Sequence, residues 1–207
     1  MIYGRKWPEY AAQWDRMVIN PNRVEEAKRA AQYAIDHIDV YQAIYLETSV
    51  HWVLTACTHR RESDDQDKHG NPLFTSYLGN GQPLWIKTTI EPKGRGPFCA
   101  KMATDKEMTE AFINGAKDAY AIDRLDRVKD WRLEKMLFYS EVFNGTGYHE
   151  RGLPSAYIWG GTNIQQRGKF ISDHKFDSRY WDKQLGVAPI MKMISELEGT
   201  IQYTRED

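Results

Sequence analysis

The sequence predicts an α+β fold that is mainly helical, with one small β-sheet inserted after the third helix. Three observations lead to this prediction. Residues 1–62 contain three runs with helical periodicity, residues 63–97 are rich in turn-forming residues around one β-prone run, and further helical runs follow. The length of 207 residues fits one domain, which we expect to span residues 1–207, with N-terminal helices in 1–46 and a core in 47–200.

Three consecutive helices are predicted at the start of the chain. The first covers residues 23–37, because Asn22 and Glu25 have the spacing of an N-cap and its third helical residue, and small apolar residues then recur on one side. The second covers residues 39–46. The third covers residues 50–62, and its apolar positions have the spacing i, i+3, i+4 and i+7: Val50, Val53, Leu54 and Cys57.

The region after the third helix has a different texture. Residues 63–97 contain many Gly, Pro, Asn and Asp residues, and the run 84–90 in their midst is β-prone, which predicts a strand of a small sheet. Thr104 and Glu107 have the spacing of a capping box and predict a helix as far as about residue 124. Further helices are predicted over residues 128–142 and 189–198.

Composition excludes several classes of partner and cofactor. The formal net charge of -1, from 28 Lys and Arg against 29 Asp and Glu, disfavours nucleic acid, which is bound through excess positive charge. The two cysteines, Cys57 and Cys99, cannot form a disulfide framework and lack the paired spacing of zinc ligands. We therefore expect no metal and no cofactor.

The chain shows no pattern typical of membrane insertion or export. It has no run of 18 apolar residues, and its N-terminus lacks the apolar stretch and cleavage site of a signal peptide. We expect synthesis in the cytoplasm without insertion into a membrane. If the substrate is outside that compartment, another component must deliver the protein to it.

A candidate acid side chain ends the third predicted helix. On an α-helix, Glu62 lies one turn beyond Thr58 and His59, at the edge of the apolar stripe. The negative end of the helix dipole and partial burial both favour a protonated carboxylic acid, which can act as a general acid. The alternative is a solvated carboxylate paired with Arg60 or Arg61.

Other ionisable residues could assist this acid. His59 could hydrogen-bond it or orient a substrate, or could serve as a local structural donor. Asp64, Asp65 and Asp67 could supply a second carboxylate, or form a solvated turn. Glu141, at the end of a predicted buried helix, is a further catalytic candidate, and its alternative role is a buried acceptor that holds a loop.

Residues 152–170 combine glycines with aromatic, amide and hydroxyl side chains. Saccharides are bound by aromatic platforms and neutral hydrogen-bonding groups, so this composition fits a saccharide groove within an ordered loop over 152–185. A tight structural loop with satisfied amides is the alternative. The side chains concerned are Tyr157, Trp159, Thr162, Asn163, Gln165 and Gln166.

Several short motifs occur in order along most of the chain. They are His59-x-Arg61-Glu62, Tyr77-Leu-Gly-Asn-Gly-Gln-Pro-Leu84, Gly94-Arg-Gly-Pro97, Phe143-Asn-Gly-x-Gly-Tyr148, Gly152-Leu-Pro-Ser-x-Tyr157, Trp159-x-Gly-Thr162, Gln165-Gln-x-Gly-Lys169 and Asp182-x-Gln-Leu-Gly186. Together they resemble motifs of phage and bacterial peptidoglycan hydrolases of the lysozyme-like superfamily, which includes goose-type lysozymes and lytic transglycosylases. The resemblance is most specific over residues 144–169.

The resemblance implies a lysozyme-like helical domain with a β-hairpin beside a cleft and the catalytic acid, Glu62, on the helix before the hairpin. The implied reaction is hydrolysis of the β-1,4 bond between N-acetylmuramic acid and N-acetylglucosamine in bacterial peptidoglycan, performed by the 47–200 core. The motifs add Tyr77, Asn80, Asn144 and Tyr148 to the candidate substrate-binding residues. One departure is Gln82, where the family commonly has Asp, which favours a single-acid mechanism or an inactive protein.

Three alternatives to a hydrolase of this bond follow from the same motifs. One is a lytic transglycosylase, in which the substrate's own hydroxyl attacks. Another is a virion or wall-binding protein that keeps the lysozyme shape without turnover, and the third is a chitin-cleaving enzyme. For an active enzyme we expect a monomer that acts on the wall in the periplasm after release through a membrane hole, or that acts as a virion component.

Overall fold

The computed structural model describes residues 7–172 and 175–205, and in this part of the chain the fold is mainly helical with one small antiparallel sheet. This confirms the predicted α+β class. The helices are α1 (Trp7–Asp15), α2 (Val24–Asp36), α3 (Ile38–Thr48), α4 (Trp52–Glu62), α5 (Asp105–Ile122), α6 (Leu133–Asn144), α7 (Gly147–Glu150), α8 (Ala156–Trp159) and α9 (Val187–Glu198). The strands are β1 (Lys169–Ser172) and β2 (Lys175–Asp177).

The chain forms two compact units. Unit 1 consists of Met1–Gln32 together with Asp130–Asp207, and unit 2 is the intervening segment Tyr33–Lys129. Residues 46 and 47, between which the predicted N-terminal helices meet the predicted core, both lie inside α3, and the single domain over residues 1–207 stays a prediction. Unit 2 is therefore continuous in sequence, whereas unit 1 is assembled from two distant segments.

The predicted helices are present with small shifts at their ends. At the start of α5, the Thr104 hydroxyl accepts from the Glu107 amide (3.3 Å) and the Glu107 carboxylate accepts from the Thr104 amide (2.7 Å), which is the capping box that the spacing predicted. The run from Val53 to His59 in α4 is buried throughout. Helices α1, α7 and α8 were not predicted, and the last two have only four residues each.

The strand predicted over residues 84–90 is absent, and that prediction was wrong. The amides of Thr89 and Ile90 donate to the side-chain oxygen of Gln82 (2.7 and 3.2 Å) instead of to a neighbouring strand. The amide of Thr88 donates to Arg95 O (2.9 Å) across a local loop. Because these groups are satisfied locally, no ladder forms.

The described sheet lies much later in the chain than predicted, in unit 1. Strands β1 and β2 pair with Lys169 opposite Asp177 and Phe170 opposite Phe176. The small sheet therefore does not follow the helix that carries Glu62. Between α4 and α5 the described backbone instead has turns and isolated bridges.

Each unit has its own buried core. In unit 2, large side chains from α3, α4 and α5 are almost fully buried: Tyr41, Ile44, Leu54, Phe112 and Tyr120. In unit 1, the corresponding side chains come from α6, α8 and α9: Leu137, Tyr157, Ile158, Trp159, Ile190 and Met191. No helix in the described part of the chain is both long and apolar enough to span a membrane.

Candidate functional site

Glu62 is the last residue of α4 and is half-buried in unit 2. The helix ends there because Ser63 leaves the helical conformation (φ -73°, ψ 119°) while its amide still donates to His59 O (3.0 Å). The Ser63 hydroxyl then donates to Asp65 O (2.7 Å), which fixes the chain that leaves the helix. The candidate acid therefore stands on a rigid helix end, where the helix dipole disfavours negative charge.

A buried hydroxyl network lies on the core side of this helix. Tyr120 on α5 donates to the Thr55 hydroxyl (3.0 Å) and lies 3.3 Å from that of Thr58. Burial raises the pKa of Tyr120 to about 12, and the negative charge of Glu62 contributes in the same direction. The charge of Glu62 thus acts on the fully buried hydroxyl of Tyr120 on α5.

The turn over residues 77–82 packs directly against the backbone of Glu62. Gly81 has a φ of +75°, and a Cβ at this position would lie 2.7 Å from Glu62 O and 3.1 Å from a carboxylate oxygen of Asp64. Only glycine combines this conformation with so close an approach. The structure therefore brings Asn80 and Gly81 of the motif beside the candidate acid.

Side chains of this turn are held by the neighbouring loop. Asn80 donates to Ile90 O (3.1 Å) and accepts from the Gln82 amide (3.1 Å). Gln82 donates to the Thr89 hydroxyl (2.9 Å) besides accepting from two backbone amides. The side-chain amide of Gln82 thus has a structural role, at the position where the family that the chain resembles commonly has Asp.

Tyr77 is a core residue and offers no exposed ring for a saccharide. Its side chain is fully buried, its ring stacks on Phe98 with 5.4 Å between centroids, and its hydroxyl donates to Asp118 (2.8 Å). Burial raises the pKa of Tyr77 to about 12.

Arg95, from the Gly94–Pro97 motif, pairs with the carboxylate of Asp118 through Nε (2.7 Å) and Nη2. This motif is therefore a clamp that fixes its loop to α5.

His59 is buried in the core of unit 2, where both ring nitrogens have hydrogen-bonding partners. Its Nε2 lies 3.1 Å from Leu73 O, which can only accept, so Nε2 carries the proton and Nδ1 accepts from the Tyr41 hydroxyl (3.0 Å). The ring packs between Phe74 and Phe112. Burial lowers the pKa of His59 to about 3. The structural alternative, a local donor, describes it correctly.

The three aspartates after Glu62 differ in how far they are committed to local structure. Asp65 accepts from the Thr75 hydroxyl (2.7 Å), and Asp67 accepts from the amides of His69 and Asn71 (both 2.8 Å). The Asp64 carboxylate is exposed and has no hydrogen bond or ion pair within the described ranges 7–172 and 175–205. Of these three aspartates, Asp64 is therefore the one that local structure does not hold.

Glu141 belongs to unit 1, where it is buried in α6 and accepts a short hydrogen bond from the Tyr10 hydroxyl of α1. Burial and then the negative charge of Glu141 raise the pKa of Tyr10 far above its ordinary value, so the phenol is the donor. Both residues line a small pocket with a volume of about 10 Å³. Ser155 and Trp159 line it as well, and Ser155 is part of the Gly152–Tyr157 motif but was not a candidate binding residue.

The remaining predicted substrate-binding residues, all in unit 1, are mostly parts of the scaffold. Tyr157 and Trp159 are 2% and 0% exposed, so neither presents a ring face to a ligand. Thr162 is buried and donates to Trp159 O (2.7 Å), and Tyr148 is buried with its ring edge-on to Phe170. The saccharide platform expected from these aromatic side chains is therefore absent from the folded segment.

The polar candidates of unit 1 form two groups, those that hold the fold together and those whose side chains are accessible. Asn163 holds the N-terminal segment, because its side chain accepts from the Val18 amide (2.8 Å) and donates to Arg16 O (3.0 Å). Asn144, at the end of α6, and Gln166 are exposed. These two alone among the unit 1 candidates keep accessible side chains without a structural hydrogen bond to the described residues.

Comparisons of the chain with protein-family models, with curated proteins and with solved structures found no match. Among residues 7–172 and 175–205, no group of three or more His, Cys, Asp or Glu side chains is arranged to hold a metal ion.

Proposed function

We propose that this chain cleaves the glycan strands of bacterial peptidoglycan, with Glu62 as the general acid. The observation that supports the proposal most is the placement of Glu62. It is half-buried at the rigid end of α4, with the Gly81 turn packed on its backbone and the exposed Asp64 beside that turn. The His59-x-Arg61-Glu62 motif, which resembles that of lysozyme-like hydrolases, ends on the same residue.

The proposed chemistry uses few groups. Glu62 donates its proton to the glycosidic oxygen as the bond between that oxygen and the anomeric carbon breaks, and the leaving sugar departs with a new hydroxyl group. Positive charge develops on the anomeric carbon and its ring oxygen. In this proposal Asp64 stabilises this charge or deprotonates the water whose oxygen bonds to the anomeric carbon, and Glu62 regains a proton from solvent.

The decisive test substitutes the acid with its neutral isostere. Glu62→Gln removes the transferable proton and keeps the shape, so the release of reducing ends from purified sacculi should fall at least about 100-fold. Glu110→Gln, an exposed glutamate on α5, is the matched control and should retain activity. Undiminished release by a folded Glu62→Gln protein would remove Glu62 from the mechanism.

The products of the same digestion separate the remaining alternatives. Mass spectrometry should find reducing N-acetylmuramic acid ends for a hydrolase and 1,6-anhydro ends for a lytic transglycosylase. Binding to sacculi without either product would instead support a wall-binding protein, and cleavage of chitin alone would support a chitinase. Asp64→Asn should abolish hydrolysis if Asp64 activates the water, whereas a mechanism in which the substrate's hydroxyl attacks should tolerate it better.

A further inference from the structure

Two buried hydrogen-bonding groups in unit 1 lack a partner in the described part of the chain. They are the Oγ of Ser155 and the Nε1 of Trp159, whose residues are 2% and 0% exposed. Leaving such a group unsatisfied in a protein interior is unfavourable. Two such groups, in residues one helical turn apart, indicate that something outside the chain normally binds there.

Both residues line the pocket that also contains Tyr10 and Glu141. Its volume of about 10 Å³ is just enough for one water molecule or one hydroxyl group. Other lining residues are accessible: Glu9 is exposed, and Leu153 and Pro154 are half-buried. A larger ligand could therefore insert one small group while its remainder stays at the surface.

The chemistry of the lining selects the kind of group that fits. Trp159 Nε1 can only donate, so the bound atom must accept a hydrogen bond. Glu141 is placed to accept, as its hydrogen bond from Tyr10 shows, so the bound atom should also be able to donate. An ammonium group would leave Trp159 unsatisfied, and an anion would be repelled by Glu141. A hydroxyl oxygen meets both requirements, and Ser155 can serve as donor or acceptor to it.

We propose that Ser155, Trp159 and Glu141 form a binding site in unit 1 for a single hydroxyl group of a saccharide chain. A water molecule occupies the same position when no saccharide is bound. Leu153 and Pro154 supply apolar surface for the C–H face of the sugar ring that carries the hydroxyl. We take the saccharide class from the proposed function, on which this inference rests, whereas hydroxyl recognition follows from the pocket itself.

The indole N–H of Trp159 provides a direct readout. In a ¹⁵N-labelled Glu62→Gln protein, which is designed not to cut the ligand, the assigned Trp159 indole resonance should shift as the tetramer of N-acetylglucosamine is added. Ser155→Ala in the same background should weaken the binding measured from this titration about tenfold, the equivalent of one good hydrogen bond. Glu141→Gln should weaken it at least as much.

Ser140→Ala is the matched control, because Ser140 is also buried in unit 1 but its hydroxyl donates to Met136 O (2.8 Å) within α6. It should leave the affinity unchanged. If the tetramer leaves the Trp159 resonance unmoved while that resonance shows magnetisation transfer from water, the pocket is a hydration site only and the inference is wrong. Since binding is measured without turnover, an inactive wild-type protein that still gives the shift would refute the proposed reaction alone.

Discussion

His59 shows at the scale of one residue how burial decides between a catalytic and a structural role. Position on the helix suggested a group beside the acid, yet both ring nitrogens are used by Tyr41 and Leu73 inside the core. Burial holds the pKa of His59 well below its ordinary value, so a histidine with these two contacts is neutral at physiological pH.

The lowered pKa of His59 gives a testable dependence of stability on pH. The unfolded state binds a proton near pH 6.5 and the folded state only near pH 3, so the stability that depends on neutral His59 is lost as pH falls below 6.5. His59→Gln can keep both hydrogen bonds but cannot titrate. Its free energy of unfolding should fall less steeply between pH 6.5 and 4, by up to about 1.4 kcal/mol per pH unit.

Urea denaturation of both proteins at several pH values measures this difference. Other ionisable groups contribute equally to the two proteins and cancel in the comparison. Parallel pH dependences for wild type and His59→Gln would show that His59 binds a proton equally well in the folded and unfolded states, contrary to the lowered pKa.

The sequence could predict where a residue lies along a helix, but not which side chains a loop buries. The placement of Glu62 at a helix end followed from periodicity, and the structure has it there. The burial of Tyr157 and Trp159 did not follow, because a sequence rich in glycine and aromatic residues is compatible with both a groove and a tightly packed turn. Ser155 could have been noticed only by asking which buried polar atoms lack partners.

At the scale of elements, the ion pair between Arg95 and Asp118 holds the loop after α4 in place. The strand predicted there is absent. Asp118 accepts from both Arg95 and Tyr77. The sequence showed a β-prone run at residues 84–90, but its pattern could not reveal that Gln82 satisfies the amides of that run. Side-chain hydrogen bonds to the backbone compete with strand pairing, and they are not visible in hydrophobic periodicity.

Removing the charge at the clamp should loosen this loop. Asp118→Asn weakens its hydrogen bonds with Arg95 and Tyr77, and we expect a loss of about 2 kcal/mol in the free energy of unfolding. Chemical denaturation measures the loss, and limited proteolysis within residues 85–97 should become faster. Glu110→Gln on the exposed side of α5 should change stability by less than about 0.5 kcal/mol. Equal stabilities of Asp118→Asn and wild type would contradict a structural role for the clamp.

At the scale of the whole molecule, unit 1 depends on hydrogen bonds between distant parts of the chain. The Asn20 amide donates to Gly161 O (2.9 Å), and the Asn163 amide donates to Val18 O (3.0 Å). The Asn163 side chain adds two more hydrogen bonds to residues 16–18. Sequence patterns act over one or two helical turns, so they indicated the helices but not this joining of the two segments.

Asn163→Ala should therefore detach the N-terminal segment more readily. Loss of two hydrogen bonds at a partly solvated position should lower the free energy of unfolding by about 1–2 kcal/mol, which thermal denaturation measures. Gln166→Ala is the control, since Gln166 is exposed and close in sequence, and it should have little effect. Should the two variants melt at the same temperature, the Asn163 side chain would add no stability to the join between the two segments.

The pairing of residues 18–20 with residues 161–163 also affects the order of events during synthesis of the protein. Residues 18–20 leave the ribosome long before residues 161–163 are translated. Residues 33–129 are contiguous in sequence, so this unit can fold before that point. Until residues 161–163 have been translated, Val18, Ile19 and Asn20 lack these partners. Completion of unit 1, including the Tyr10–Glu141 pocket, is therefore a late step of biogenesis.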